Sequence, residues 1–171
     1  MAIASMAGLA ATIIFPAAVI YAGIMDILTM KIRNYLVQIV TISYFIFAPL
    51  AGFTLYEIGL SLAAAAIVFI VTFGSFAAGW IGGGDAKFAS ASALWFGWEY
   101  ALLYFLLATL AGGLLTLAII KFRAMMLPAS LYKYEWIVRL QKSESGIPFG
   151  AAFALSALIV FPQTDWLAAA A

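Results

Sequence analysis

The stretch MAGLAATIIFPAAVIYAGIMDI, Met6 to Ile27, stays apolar for a full bilayer's width before it reaches a single carboxylate, Asp26. A spanning helix needs about 20 such residues, so this segment reads as a helix in lipid. Hydropathy repeats the pattern near residues 35–55, 58–80, 86–98, 100–120 and 147–168. Composition agrees: 67% of the 171 residues are apolar and 9% are charged, with a mean hydropathy of +1.15, a balance foreign to water-soluble domains. The expected fold is all-α, a polytopic membrane protein with about six transmembrane helices, the fourth short. Residues 1–171 hold that bundle and no second domain.

The fourth span, Ala86 to Trp98, covers only about 20 Å at 1.5 Å per residue, short of a hydrocarbon layer of about 30 Å. It is expected to tilt or to begin inside the membrane edge, with Trp95 and Trp98 in an interfacial belt. Pro16 and Pro49 fall inside spans, where neighbouring helices satisfy the freed carbonyls. Gly74, Gly79, Gly112 and Gly113 are expected to let helices approach closely.

The cations segregate. Lys31 and Arg33 follow the first span, Lys87 lies beside the junction of the third and fourth, and Lys121, Arg123, Lys133, Arg139 and Lys142 separate the fifth from the last. All therefore fall on one side, which the positive-inside rule makes cytoplasmic, with both termini outside. Glu57, Glu99 and Asp165 fall on the other side as solvated loop residues. The first 30 residues hold no lysine or arginine, so the N-terminus lacks the charged region of a cleavable signal and reads as a retained helix. The basic connection, Lys121 to Gly146, interleaves cations with Leu131, Tyr134, Trp136, Ile137 and Val138. It is expected to lie as a helix on the membrane surface, as a basic anchor on anionic lipid or a gate over the active site.

Much chemistry is excluded. A net charge of +1 gives no concentrated basic face for nucleic acid. With no cysteine and no histidine, thiol nucleophiles, imidazole bases and soft-metal sites are absent, and no cofactor or metal is expected. What remains is a pair of carboxylates at the membrane edge. Asp26 closes the first span, an expensive place for a charge. Asp85 opens the fourth after Gly82, Gly83 and Gly84, glycines that permit unusual backbone angles and the close approach of a substrate strand, at a helix start where its side chain caps free N–H groups. On the expected topology both lie on the cytoplasmic side at similar depth. Two such carboxylates, brought within a few ångströms, share one proton, the condition for one to activate water while the other assists the carbonyl oxygen. Taken singly, Asp26 also reads as a structural partner of Lys31 or Arg33 and Asp85 as an ordinary N-cap. Lys87 reads as a topological determinant or a neighbour that tunes Asp85.

The segments Asp26-Ile27-Leu28-Thr29-Met30-Lys31-Ile32-Arg33-Asn34 and Gly82-Gly83-Gly84-Asp85-Ala86-Lys87 resemble the type IV prepilin peptidases. That family carries one aspartate six residues before an Ile-Pro-Asn and a second in a Gly-x-Gly-Asp sequence followed closely by lysine. Gly146-Ile147-Pro148-Phe149-Gly150 is similar to the family's Ile-Pro-Tyr-Gly at the start of its last helix, so the resemblance spans nearly the whole chain in order. It implies catalytic roles for Asp26 and Asp85, and makes Gly82, Gly83, Gly84, Lys87, Ile32 and Asn34 the candidates for substrate contact. Arg33 stands where the family has proline. The cysteine-bearing insertion of the longer, bifunctional members is missing, so no N-methyltransferase activity is expected, and the small size is most similar to the short Tad-type enzymes that serve Flp pili.

The resemblance implies an aspartic endopeptidase of the bacterial inner membrane that removes the basic leader of a prepilin at the cytoplasmic face. Its partners are then a prepilin, membrane lipid and, as candidates, pilus-assembly proteins; the oligomeric state stays open. Three other readings stand beside it: a small transporter or proton-conducting subunit with paired carboxylates, an intramembrane protease of the presenilin type, and a catalytically dead assembly scaffold.

Overall fold

A computed structural model describes residues 2–170, and these are all helix and connection, with no strand among the described residues. Helices α1 (Ala2–Thr29), α2 (Asn34–Leu50) and α3 (Leu55–Ala77) are followed by the short α4 (Gly83–Ala93). After a 3₁₀ turn at Leu94–Phe96 come α5 (Gly97–Ala124), α6 (Glu135–Gln141), α7 (Phe149–Val160) and α8 (Asp165–Ala170). Three helical stretches are long and apolar enough to cross a membrane: Ala2–Thr29, Leu55–Ala77 and Gly83–Ala124. Asn34–Leu50 and Phe149–Gln163 are shorter apolar helices.

The stretch Gly83–Ala124 is not one rod. Gly97 takes φ +61, a left-handed conformation that costs glycine little, and the chain reverses there. Along α4, Thr72 bonds the Ala86 carbonyl and Ser90 bonds the Ala65 carbonyl, so α4 runs antiparallel to α3. Beyond Gly97, which sits against Ser61, α5 returns beside α3, with Ala101, Leu102 and Phe105 facing the same Ala64–Val71 segment. The α4 and α5 spans are therefore separate, as hydropathy suggests. α4 is as short as expected, about 16 Å over its 11 residues.

The last span differs from its expectation. Instead of one helix over 147–168, α7 ends at Val160, a 3₁₀ turn containing Pro162 follows, and Thr164 turns extended before α8. Proline lacks the N–H that would continue the ladder. The broken segment still runs the length of α1, pairing Gly23 with Ala154 at one end and Gly8 with Ala169 at the other. A Cβ at Gly8 would come within 2.6 Å of the Ala169 backbone, so α8 docks only because residue 8 has no side chain. Ser5 donates to the Ala170 carbonyl at 3.2 Å, so both chain ends lie at one end of the bundle.

Trp95 is not in an interfacial belt. It is 1% exposed, stacks on Phe15 with ring centroids 4.6 Å apart, and donates its indole N–H to the Val40 carbonyl at 3.0 Å. Trp166 donates in turn to the Trp95 carbonyl at 3.0 Å. The short α4 ends inside the bundle, and so its exit tryptophan is core; Trp98, one turn on, is exposed. Among the glycines singled out for packing, only Gly112 makes a close helix contact, against the Phe149 ring. Gly74 and Gly113 face open space, and Gly79, at φ +77, turns the chain out of α3. α3 starts on a reciprocal cap: Glu57 N–H donates to the Thr54 hydroxyl and Thr54 N–H to the Glu57 carboxylate.

Candidate active site

Asp26 lies in the last turn of α1, where the helix presents carbonyl oxygens and the partial charge is negative. Left alone, a carboxylate there is doubly disfavoured, by burial and by the dipole. It is 3% exposed, yet its compensation is backbone: the Ala151 N–H at the start of α7 donates to its Oδ2 at 3.3 Å. The first turn of a helix carries free N–H groups and a positive partial charge, so α7 supplies what α1 lacks. That partner is backbone rather than Lys31 or Arg33. Beyond Asp26 the chain stops being helical at Met30, which takes φ +56 while its N–H still bonds the Asp26 carbonyl at 2.8 Å.

Asp85 is 7% exposed and stands at the third position of α4, not at its N-cap, which is Gly82. Its Oδ2 accepts from the Gly82 N–H at 3.1 Å, the side-chain-to-cap half of a capping box. The three glycines before it do not adopt unusual angles. Gly82 is extended at φ −74, ψ 148, and the positive-φ glycines lie elsewhere. Their use is proximity alone: a Cβ on Gly84 would lie 3.1 Å from the Ile32 carbonyl oxygen, and one on Gly83 would lie 3.2 Å from the Phe76 ring.

The two aspartates meet through α7. The Gly150 N–H lies within reach of both carboxylates, and Asp26 lies in the Coulombic field of Asp85. Gly150 itself has no room for a side chain: a Cβ there would stand 2.8 Å from Asp26 Oδ2 and collide with Ile32 Cδ1. Residues 26, 85 and 150 are distant in sequence, and three elements position them: the end of α1, the start of α4 and the start of α7.

A cavity of about 440 Å³ opens beside Asp85, walled by Met30–Asn34 and Gly82–Asp85; Asp26 does not line it. Ile32 is buried between Gly84 and Gly150, and Asn34, exposed at the first position of α2, lines the wall. Lys87 is exposed on α4 and is not part of that wall. Arg33 caps α2 at φ −76, ψ 141, inside the range to which a proline ring would lock this position, so arginine keeps the backbone path that proline would impose. Arg139 donates to the Leu28 carbonyl at 2.8 Å, and Arg123 donates to the carbonyls of Leu140, Ser145 and Gly146. The helix in the basic connection is only seven residues long, α6, and these two arginines tie the connection to the ends of α1 and α5.

The pairing of α7 with both carboxylates is the part that sequence reasoning missed. Its signal was the run Ile147-Pro148-Phe149-Gly150, but the donors are backbone N–H groups, and every residue type except proline carries one. The arrangement holds two carboxylates, a fixed N–H between them and a cavity alongside, which is equipment for polarising water or a carbonyl.

A model of the type IV leader peptidase family matches residues 13–117, a span that includes Asp26, Ile32, Asn34 and the Gly82–Asp85 turn. No curated protein and no solved structure matches the chain.

Proposed function

This chain belongs to the type IV leader peptidase family, a membrane protease family, and on that premise we propose that it is an aspartic endopeptidase cutting the basic leader from a type IV prepilin of the short Flp type. The observation that carries the proposal is the convergence of Asp26 and Asp85 on the Gly150 N–H.

In the proposed reaction the two carboxylates share one proton. The ionised member takes a proton from water as the water oxygen bonds to the scissile carbonyl carbon, and the neutral member donates a hydrogen bond to the carbonyl oxygen. Collapse of the tetrahedral species breaks the C–N bond. The amine leaves with a proton returned by the first carboxylate, and the leader keeps the new carboxyl group. Because the pair acts as a unit, neither aspartate is assigned the shared proton. Ile32, Asn34 and the Gly82–Gly84 backbone form the cavity beside Asp85 and are proposed to receive the extended leader; Lys87, outside the wall, is proposed to act on the approach of the substrate.

Orientation is part of the proposal. Lys31 and Arg33 precede α2, Lys87 stands two residues beyond Asp85, and the remaining cations lie at the end of α5 or in the connection to α7. All eight thus gather at the carboxylate end, which supports a bacterial inner-membrane protein with that end in the cytoplasm and both termini outside. A prepilin leader also stays cytoplasmic, so its scissile bond would meet the carboxylates at the inner interface.

The test is leader cleavage of a co-expressed Flp-type prepilin. Asp26→Asn and Asp85→Asn are each expected to reduce cleavage by about 10²- to 10⁴-fold, the contribution of general acid–base catalysis, while inserting normally. Undiminished processing by both variants refutes the proposal.

A further inference from the structure

The proposed reaction needs water and the scissile carbonyl within reach of both carboxylates. The cavity that would admit them is lined by Asp85 and not by Asp26. What stands between is Ile32. It lines the cavity, and its Cδ1 crowds the same point over Gly150 that the Asp26 Oδ2 approaches to 2.8 Å. The isoleucine side chain thus screens Asp26, which is left 3% exposed.

Little fastens that screen. In the short connection between α1 and α2, Lys31 and Arg33 are exposed and only Ile32 is buried. Among the described residues, no hydrogen bond joins these three to α4 or α7, and the connection's own bond is a long one, from the Thr29 hydroxyl to the Lys31 carbonyl at 3.3 Å. Its hold on the bundle is therefore the seat of one aliphatic side chain between Gly84 and Gly150. The connection also starts on a strained joint. Met30, at φ +56, is the one non-glycine residue with a positive φ among the described residues, a conformation that a side chain disfavours. Element-terminal positions of this kind are where hinges absorb a change of φ and ψ.

We propose that residues 30–33 form a gate, shut in this structure, and that cleavage requires Ile32 to leave its seat between the two glycines and join the cavity to Asp26. Met30 is the hinge, and relief of its left-handed backbone favours opening. The purpose of the gate rests on the peptidase reading, but its motion does not, so the two are measured separately.

The chain has no cysteine, so a single introduced thiol reports the motion. Ile32→Cys is labelled with a water-soluble maleimide in the absence of any prepilin. The reference is Ala86→Cys, a buried position next to Asp85 at the same end of the bundle. A minor conformer populated to about 0.1–10% outnumbers the globally unfolded chain, at most about 0.01% for a stability of about 5 kcal/mol or more. The Ile32→Cys thiol is therefore expected to react at least about tenfold faster than the Ala86→Cys thiol. Equal rates, as a fixed connection gives, overturn the gate even where the wild type cleaves prepilin; a wild type that cleaves no prepilin strikes the peptidase reading instead.

Met30→Gly supplies the second measurement. Glycine adopts the left-handed conformation freely, so the closed form gains and the open fraction falls. Labelling of Ile32→Cys is expected to slow at least about fivefold, and kcat/KM for leader cleavage to fall by the same factor, while the melting temperature holds or rises. A structural role alone would keep cleavage unchanged in a variant at least as stable as the wild type. Unchanged labelling, or slower labelling with cleavage at the wild-type rate, overturns the proposal.

Discussion

Replacing Gly150 with alanine separates stability from catalysis at the proposed site. The new Cβ would stand 2.8 Å from Asp26 Oδ2 and 3.0 Å from its Cγ, and would collide with Ile32 Cδ1. Both obstacles are tips of side chains, so the backbone can stay while Asp26 and Ile32 give way. Overpacking of this kind costs about 1–3 kcal/mol, and alanine recovers up to about 1 kcal/mol over glycine in a helix. The net loss is therefore about 0–3 kcal/mol, a fall of no more than about 12 °C in melting temperature for a chain of this size. Catalysis is less forgiving: a shift of about 1 Å in a reacting group can cost about 10²-fold. Leader cleavage by purified protein in proteoliposomes, read beside a thermal melt, is expected to fall by about two orders of magnitude with the fold kept. Adding Ile32→Val removes the colliding Cδ1 and leaves the Asp26 contact, so it is expected to restore stability but not activity. Full cleavage by Gly150→Ala would refute the claim that this glycine sets the position of Asp26.

Two other changes test the frame around the site. Gly8→Val drives a side chain into the Ala169–Ala170 backbone, where the nearest atoms lie 2.6 Å from the added Cβ; it is expected to cost at least about 1–3 kcal/mol in a thermal melt. The cleavage rate per folded molecule is expected to stay unchanged, because residue 8 lies at the other end of the bundle from the carboxylates. Arg123→Ala removes the bonds to Leu140, Ser145 and Gly146; trypsin is expected to cut at Lys133, Arg139 or Lys142 at least about tenfold faster, the equivalent of losing about 1.4 kcal/mol of local protection.

Much of the fold was legible because lipid imposes a strong and simple condition on composition. The order of the spans, the shortness of α4 and the gathering of cations at one end follow from hydropathy and charge, whereas the break after Val160 and the early ends of α2 and α4 do not. Asp26 and Asp85 stood out for the same reason: a carboxylate at the edge of an apolar span is rare enough to attract notice. Less legible was whatever depends on three-dimensional proximity. Trp95 has the composition of an interfacial residue, and only the early end of α4 inside the bundle makes it core. Gly82, Gly83 and Gly84 suggest unusual backbone angles and the approach of a substrate strand; their angles are ordinary, and what comes close to Gly83 and Gly84 is the chain's own Phe76 and Ile32. Gly8 and Gly23, which carry the tightest contacts of α1 with the last segment, look in sequence like any other small residue in a spanning helix. Gly150 and Ala151 contribute N–H groups, and backbone donors leave no mark in the sequence.

The reversal at Gly97 carries a consequence for the parity of the whole chain. Extended without it, Gly83–Ala124 would form a rod about 63 Å long at 1.5 Å per residue, roughly twice the depth of the oily layer. One crossing would vanish, an even count would become odd, and Lys121 and Arg123 would emerge across the bilayer from Asp85. The segment after them would then start on the wrong side to deliver Gly150 to the two acids, so a single left-handed glycine decides whether the third partner of the site arrives at all.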